Sequence, residues 1–232
     1  MSTQGFHPYY AGRRVVIQDG FDESLLLSRP HFATLLADHD FEEIRKAALG
    51  ELDRVIPTLP YVGGAEGRMT QYFEQNAGIF ALGRVLRARS VPGKIMSQLL
   101  KHVFLAKLRT RPRDERLAMG EQFLSEGTKS MLRKEAVKSQ LKENTGDFAY
   151  RFIDKPAASG AEAFDFGLDY NECGFCKMSK TNNDGDILPM ICAMDEESYA
   201  LRGVRLTRTT TLADGDRCCN FRYGKLEDDQ VP

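Results

Sequence analysis

Hydrophobic residues follow a helical period in the first two thirds of the chain and alternate after Asp147. Pro30 follows Ser28, so we place it early in a helix. A glycine turn, Thr145-Gly146, ends the helical part. Before the first helix the chain shows no period, which indicates an irregular arm. The predicted helices cover 22–52 (with a break near 38–40), 71–88, 95–108 and 116–144.

After Asp147 the alternation of apolar and polar residues is typical of half-buried strands. The last two predicted strands are joined by a glycine turn and form a hairpin. Strands are predicted over 148–153, 164–170, 204–211 and 218–223, and helices from near Gly174 and over 188–200. This order predicts an α+β fold: an N-terminal helical half packed on a C-terminal antiparallel sheet of about four strands with two inserted helices.

The same pattern sets the expected domain organisation. Residues 1–20 form the arm, and 21–225 form one α+β domain with a helical part (21–146) and a sheet-containing part (147–225). The acidic residues 226–232 form a frayed tail.

Composition narrows the function classes. Lys+Arg is 32 against Asp+Glu 33, a net charge of -1, which gives no electrostatic case for nucleic acid or an anionic membrane surface. No apolar run approaches the roughly 18 residues of a membrane helix. The N-terminus lacks the apolar core of a signal peptide. We therefore expect a cytoplasmic protein with reduced cysteines and a small-molecule substrate. The protein could also form a homo-oligomer.

All five cysteines lie between Phe164 and Tyr223, so we expect most of the chemistry in this segment. Cys173-Gly-Phe-Cys176 is a C-x-x-C, which alone fits half a zinc site, a redox pair or coincidence. Zinc spacing is poor, because Cys218 and Cys219 are adjacent and all four histidines precede residue 103. A thioredoxin-like redox pair would need alternating βα units, which this chain lacks.

A third interpretation is an active-site thiol. Cys173 falls where a strand meets a helix, and there the helix dipole and free N–H groups lower a thiol pKa. Cys192 lies three residues before Asp195, and we expect them to share a helix face as a proton-transfer pair. For any single cysteine the alternative is a small buried residue.

Two sites lie outside this segment. The run IPTLPYVGGAEGRMT contains two prolines and three glycines, so it forms a shaped loop. Gly63 and Gly64 allow positive φ or the close approach of a ligand, and with Tyr61 we expect them to close a pocket. The alternative is a plain connector. His102, on a predicted helix, is a candidate for the pocket wall or an ordinary packed residue.

Four phrases then resemble the L-2-amino-thiazoline-4-carboxylic acid hydrolase family. They are LPYVGG (59–64), CGFCKM, ICAMD and LTRTTTLADGDRCCNFRY. The resemblance runs from roughly Leu25 to Tyr223 and is most specific in the closing phrase. It implies an enzyme that opens a small thiazoline ring to N-carbamoyl cysteine, on the route to L-cysteine. The closing phrase is also similar to 4-vinyl reductase-type ligand-binding domains.

On this basis we expect a hydrolase that acts on a C–N bond of a small heterocycle or amide and serves a biosynthetic pathway. Catalysis is assigned to Cys173 as nucleophile with Cys192 and Asp195. Arg208 or Arg222 would hold a substrate carboxylate bidentately. No cofactor is expected. The substrate-binding set is Tyr61, Gly63, Gly64, His102, Arg208, Cys219 and Arg222.

This chain departs from the family pattern at four places. Asn220 stands where the family has Asp, Cys176 is an additional thiol, and Ala65–Thr70 and Lys101-His102 differ from the usual residues. We expect these changes to line the pocket and alter the substrate. Two alternatives remain. One is an enzyme that cyclises or rearranges its substrate. The other is a ligand-binding domain, which is either metal-free or stabilised by zinc bound to Cys173, Cys176, Cys192 and Cys219.

Overall fold

The computed structural model describes residues 7–36, 40–144, 146–155 and 164–232. The segment that joins the first two predicted strands, 154–163, lies mostly outside these ranges. The helices are α1 (Pro8–Leu35), α2 (Phe41–Val55), α3 (Thr70–Ala88), α4 (Gly93–Thr110), α5 (Arg113–Leu124), α6 (Glu126–Ser139), α7 (Gly174–Asn182), α8 (Leu188–Cys192) and α9 (Met194–Ala200). The strands are β1 (Ala149–Asp154), β2 (Phe166–Glu172), β3 (Val204–Thr207) and β4 (Cys219–Lys225).

The predicted α+β class is confirmed: the N-terminal half is helical and the C-terminal half carries a four-stranded antiparallel sheet. The strand order is β1-β2-β4-β3. Tyr170 in β2 lies opposite Cys219 in β4, and Thr207 in β3 lies opposite Arg222. The two central strands are therefore β2 and β4, which are distant in sequence.

The chain divides into two compact units. The first unit comprises Met1–Lys107 and Lys177–Ile191, and the second unit comprises Leu108–Cys176 and Cys192–Pro232. In the second unit, α6 contributes Leu132 and Ala136 to a buried cluster on the sheet. The other buried members are Tyr150, Phe166, Leu168, Val204, Leu206 and Tyr223. The prediction of one domain over 21–225 stays a prediction.

Several element boundaries differ from the expectation. From Pro8 onward the predicted arm is helix, because His7 caps α1 by accepting the Tyr9 N–H and Pro8 suits the first position. Pro30 lies near the end of α1 instead of its start. The predicted strand over 204–211 ends at Thr207. The C-terminal tail is not frayed throughout, since Arg113 donates to the Asp228 carbonyl.

Two long predicted helices are broken. Ser125 is extended and caps α6 by accepting the Thr128 N–H, so 116–144 forms α5 and α6. The prediction of two inserted helices was wrong: within the described residues three lie between β2 and β3, because the chain breaks at Ala193 between α8 and α9. At this break the Cys192 carbonyl accepts a hydrogen bond from Arg208.

Candidate functional site

The start of α7 holds a pair of thiols in hydrogen-bond contact. Cys173 lies between the end of β2 and Gly174, the first residue of α7. Cys176 lies in the first turn of that helix. The Cys173 thiol donates to the Cys176 sulfur, while the Cys176 backbone N–H donates to the Cys173 sulfur. Cys173 thus occupies the capping position of α7, and the two side chains hold each other in place.

This pairing reverses the expected pKa shift. The hydrogen bond from Cys173 lowers the pKa of Cys176, because it stabilises the Cys176 thiolate. The pKa of Cys173 is raised, first because its proton is held in that bond and second because of burial. The prediction of a lowered pKa at Cys173 was therefore wrong: within the pair, the sulfur whose pKa is lowered is that of Cys176.

Arg208 connects Asp195 to the end of α8. Its Nη1 lies 3.0 Å from Asp195 Oδ2, and its Nη2 donates to the Cys192 carbonyl at 2.8 Å. The guanidinium carbon also lies 4.8 Å from the centre of the Phe221 ring. Only 6% of the Arg208 side chain is exposed. Arg208 is thus occupied by protein groups, which speaks against its predicted role in holding a substrate carboxylate.

Asp195 lies close enough to Cys192 for its charge to raise the pKa of the thiol. Burial raises the pKa of Asp195 to about 6, against the opposing effect of Arg208. Burial and the Asp195 charge raise the pKa of Cys192 to about 12. The two residues lie on different helices, so the prediction that they share one helix face was wrong. They are nevertheless close to each other. With a pKa of about 6 against about 12, Asp195 is better suited than Cys192 to exchange a proton near neutral pH.

Cys219 and Asn220 shape the β3–β4 connection. Cys219 is 6% exposed, and its sulfur accepts the Leu212 N–H at 3.1 Å. The Asn220 Oδ1 accepts the N–H groups of Thr209 and Thr210 at 2.9 and 2.8 Å. An aspartate oxygen could accept the same two hydrogen bonds. The Asn220 Nδ2 also donates to the Thr209 hydroxyl at 2.7 Å, a contact that an ionised aspartate could make only as an acceptor.

Arg222 differs from Arg208 in its surroundings. Its Nη1 donates to Asp169 Oδ1 at 2.6 Å and to the Phe221 carbonyl at 2.9 Å. The side chain remains 24% exposed. Among the described residues, no hydrogen-bond acceptor is found for its Nη2. Of the two arginines predicted to bind a carboxylate, Arg222 therefore has the greater capacity for it.

A buried tyrosine, Tyr223, pairs with the half-buried Tyr199 near Asp195. The Tyr223 hydroxyl is hydrogen-bonded to Tyr199, and the two rings lie 5.0 Å apart. Burial raises the pKa of Tyr223, and the charge of Asp195 adds to this effect. The raised pKa keeps the Tyr223 hydroxyl protonated at neutral pH, so it remains a hydrogen-bond donor.

The predicted loop is confirmed in its local shape. Gly63 and Gly64 both adopt positive φ, 97° and 59°. A side chain on Gly64 would meet the Tyr61 hydroxyl at 3.1 Å, so Tyr61 lies directly over this turn. Tyr61 also stacks on His7 with ring centres 3.8 Å apart. The turn is therefore built by glycine, and its role in substrate binding stays a prediction.

His102 lies elsewhere in the first unit. Its ring stacks on that of His31 with centres 3.4 Å apart and an interplanar angle of 8°. The stack packs α4 against α1. The structure thus gives His102 a packing contact, and its predicted place in a pocket wall stays untested.

The structure brings together Cys173, Cys176, Cys192, Asp195, Arg208 and Cys219 in the second unit. Sequence reasoning missed the roles of Cys176 and Tyr199. The C-x-x-C spacing was a signal for Cys176, whereas nothing local marks Tyr199. Over the described parts of the chain, no three His, Cys, Asp or Glu side chains are arranged to hold a metal ion. No described helix has both the length and the apolar character needed to cross a bilayer.

Comparison with known proteins gives one family. The model of the family described as L-2-amino-thiazoline-4-carboxylic acid hydrolase matches residues 94–223, more than half of the chain. The match covers α4 to β4 and includes the thiol pair, Asp195, Arg208 and Arg222. Comparison with curated proteins and with solved structures gives no match.

Proposed function

Since the chain belongs to the L-2-amino-thiazoline-4-carboxylic acid hydrolase family, we propose that it hydrolyses a C–N bond of a small heterocycle or amide with a cysteine nucleophile. The observation that carries this proposal is the hydrogen bond between Cys173 and Cys176, which lowers the pKa of Cys176. Such a pair makes one of its sulfurs easier to ionise without the help of a histidine.

Cys173 is the attacking sulfur in this proposal, because it falls in the Cys-Gly-Phe motif of the family. As its sulfur adds to the electrophilic carbon, its proton moves to the Cys176 thiolate, with which it is already hydrogen-bonded. Cys176 then acts as the general base, and the additional thiol of this chain gains a chemical role. The rival assignment makes Cys176 the nucleophile and Cys173 its hydrogen-bond donor.

Asp195 delivers a proton to the leaving nitrogen. Its pKa of about 6 leaves part of the population protonated near neutral pH, and the ionised form is then suited to activating water. Arg208 orients the carboxylate through the 3.0 Å contact to Oδ2 and stabilises its ionised form. Arg208 is thus proposed as a positioning residue.

The proposed substrate carries a carboxylate held by Arg222. The position of Asp169 leaves part of the guanidinium available, and a planar carboxylate matches its remaining N–H groups. Tyr61, Gly63, Gly64 and His102 remain proposed substrate-binding residues. Cys219 is better explained by packing, since its sulfur accepts a backbone N–H. Reduced thiols are needed for this chemistry, which fits the proposed cytoplasmic location.

A substrate panel tests the proposal. Thiazolines, hydantoins and small amides, each with and without a carboxylate, are incubated with the protein and with Cys173→Ala, and products are identified by mass spectrometry. Reactions in labelled water separate hydrolysis from rearrangement, because only hydrolysis incorporates solvent oxygen. Full turnover by Cys173→Ala, or a product without solvent oxygen, would overturn the corresponding part of the proposal.

A further inference from the structure

The thiol pair at the start of α7 has a second chemical capacity. Its two sulfurs are already in hydrogen-bond contact, and both belong to the first turn and cap of one helix. A disulfide needs sulfur atoms about 2.05 Å apart, so a modest rotation of two side chains suffices when they start in contact. Both cysteines are only partly buried.

We propose that Cys173 and Cys176 are a thiol-oxidation site that forms a reversible disulfide with a hydroperoxide as oxidant. Neither the family resemblance nor the proposed hydrolysis requires this reaction. Its consequence for turnover rests on the proposed function, because the disulfide consumes the nucleophile.

The reaction proceeds in two steps. With hydrogen peroxide, the Cys176 thiolate attacks one oxygen, so that a sulfur–oxygen bond forms, the oxygen–oxygen bond breaks, and the departing hydroxide takes a proton from the solvent to become water; an organic hydroperoxide would release an alcohol in its place. The Cys173 sulfur then attacks the Cys176 sulfenic acid. A sulfur–sulfur bond forms, and the hydroxyl leaves as a second water with the Cys173 proton. The two thiols lose two hydrogen atoms in total, and the peroxide is reduced.

The other thiols are less suited to the first step. The pKa of Cys192 is raised to about 12, and burial raises that of Cys219. Cys176 is the cysteine whose charged form is stabilised by a neighbour's proton. Since the thiolate is the reacting species, oxidation should begin at Cys176 and be resolved by Cys173.

Peptide mapping gives a direct test. Cleavage after Lys and Arg places Cys173 and Cys176 in one peptide ending at Lys177, Cys192 in another, and Cys218 with Cys219 in a third. Reduced protein is treated with hydrogen peroxide, alkylated with iodoacetamide and digested. The expected product is a peptide ending at Lys177 that lacks two hydrogen atoms and both alkyl groups, and dithiothreitol restores both alkylation sites.

Variants assign the two roles. In Cys173→Ser, Cys176 should stop at the sulfenic acid and be captured by dimedone. In Cys176→Ser, oxidation at Cys173 should slow by about tenfold or more, since the stabilised thiolate is gone. Cys218→Ser is the matched control and should form the disulfide at the original rate. Circular dichroism of each variant checks that the fold is retained.

The inference is overturned if peroxide leaves Cys173 and Cys176 alkylatable while other cysteines are consumed, or if Cys173→Ser reacts without a trapped sulfenic acid. Its failure is distinct from that of the proposed function. A disulfide that forms in a protein whose Cys173→Ala variant retains turnover would leave the oxidation site standing and remove the nucleophile assignment.

Discussion

Arg208 Nη1 and Asp195 Oδ2 form a 3.0 Å ion pair in which the arginine is almost fully buried and the carboxylate keeps 35% of its side-chain surface exposed. The pair therefore joins a fixed cation to an anion that solvent or a ligand can still reach. Such an arrangement sets the orientation of the carboxylate and leaves its outer oxygen available for proton transfer.

Replacing Arg208 should harm both the fold and turnover. Arg208→Gln removes a charged partner of Asp195 and should lower the free energy of unfolding by about 1.5–3 kcal/mol. It should also raise the pKa of Asp195 further, because Arg208 opposes the effect of burial. Urea denaturation and the pH dependence of turnover measure the two effects. Arg217→Gln, at an exposed position, is the control and should change neither.

Asp195 should contribute to the pH dependence of the free energy of unfolding. Its pKa is about 6 in the folded protein and 3.8 as its ordinary value, so the folded state binds more protons between these limits. The contribution of Asp195 to stability is therefore greatest at low pH and decreases as pH rises from about 4 to about 6. Asp195→Asn should remove this slope in urea denaturation series. An unchanged slope in the variant would contradict the raised pKa.

The two cysteines of the pair should be separable by their pH–rate profiles. Cys173→Ala should remove turnover at every pH. Cys176→Ala should lose turnover near neutrality but recover much of it at alkaline pH, where hydroxide replaces the missing base and Cys173 ionises. The measurement is kcat/KM against pH for both variants on one substrate. The opposite pattern would identify Cys176 as the nucleophile.

The buried carboxylate of Asp184 should be important for the first unit. It has no exposed surface, and it pairs with Arg84 at 2.6 Å and with Arg87 at 3.3 Å. Asp184→Ala would leave the mostly buried Arg84 with Glu51, at 3.2 Å, in place of its fully buried partner, so we expect a loss of about 3 kcal/mol in unfolding free energy. Asp186→Ala, at a 49% exposed side chain, should cost about 0–1 kcal/mol. Equal losses in the two variants would contradict this account.

Two glycines of the first unit should respond in opposite directions. A methyl group on Gly67 would lie 1.9 Å from the Val62 carbonyl oxygen, so Gly67→Ala should destabilise by about 1–3 kcal/mol or more. Gly50 lies inside α2 with no atom within 4 Å of such a methyl group. Gly50→Ala should therefore stabilise by about 0.4–1 kcal/mol. Thermal melts of both variants provide the comparison.

The order of helices and strands could be predicted from the sequence because burial imposes a period on each element. The amphipathic stripe of α3 and the alternation in β2 are strong signals of this kind. The breaks at Ser125 and Ala193 were missed, since each depends on a single capping or carbonyl contact inside a stretch with a continuous helical pattern.

Four residues of the predicted site, Cys173, Cys192, Asp195 and Arg208, lie close together in the fold, and their roles stay predictions. The direction of the pKa shift at Cys173 was not predictable, because it depends on which of two sulfurs donates the shared proton. Likewise, only the folded backbone shows that the Asn220 side chain accepts the N–H groups of Thr209 and Thr210.

The sheet order has a consequence for how the thiols respond to unfolding. Within the sheet, β1 pairs with β2 and β3 pairs with β4, whereas the β2–β4 pairing joins segments separated by three helices. Contacts between segments so distant in sequence slow folding. Cys173 follows β2 and Cys219 begins β4, so the cluster is assembled only when these strands meet. Pulse alkylation of the cysteines during refolding should therefore report the closure of the sheet.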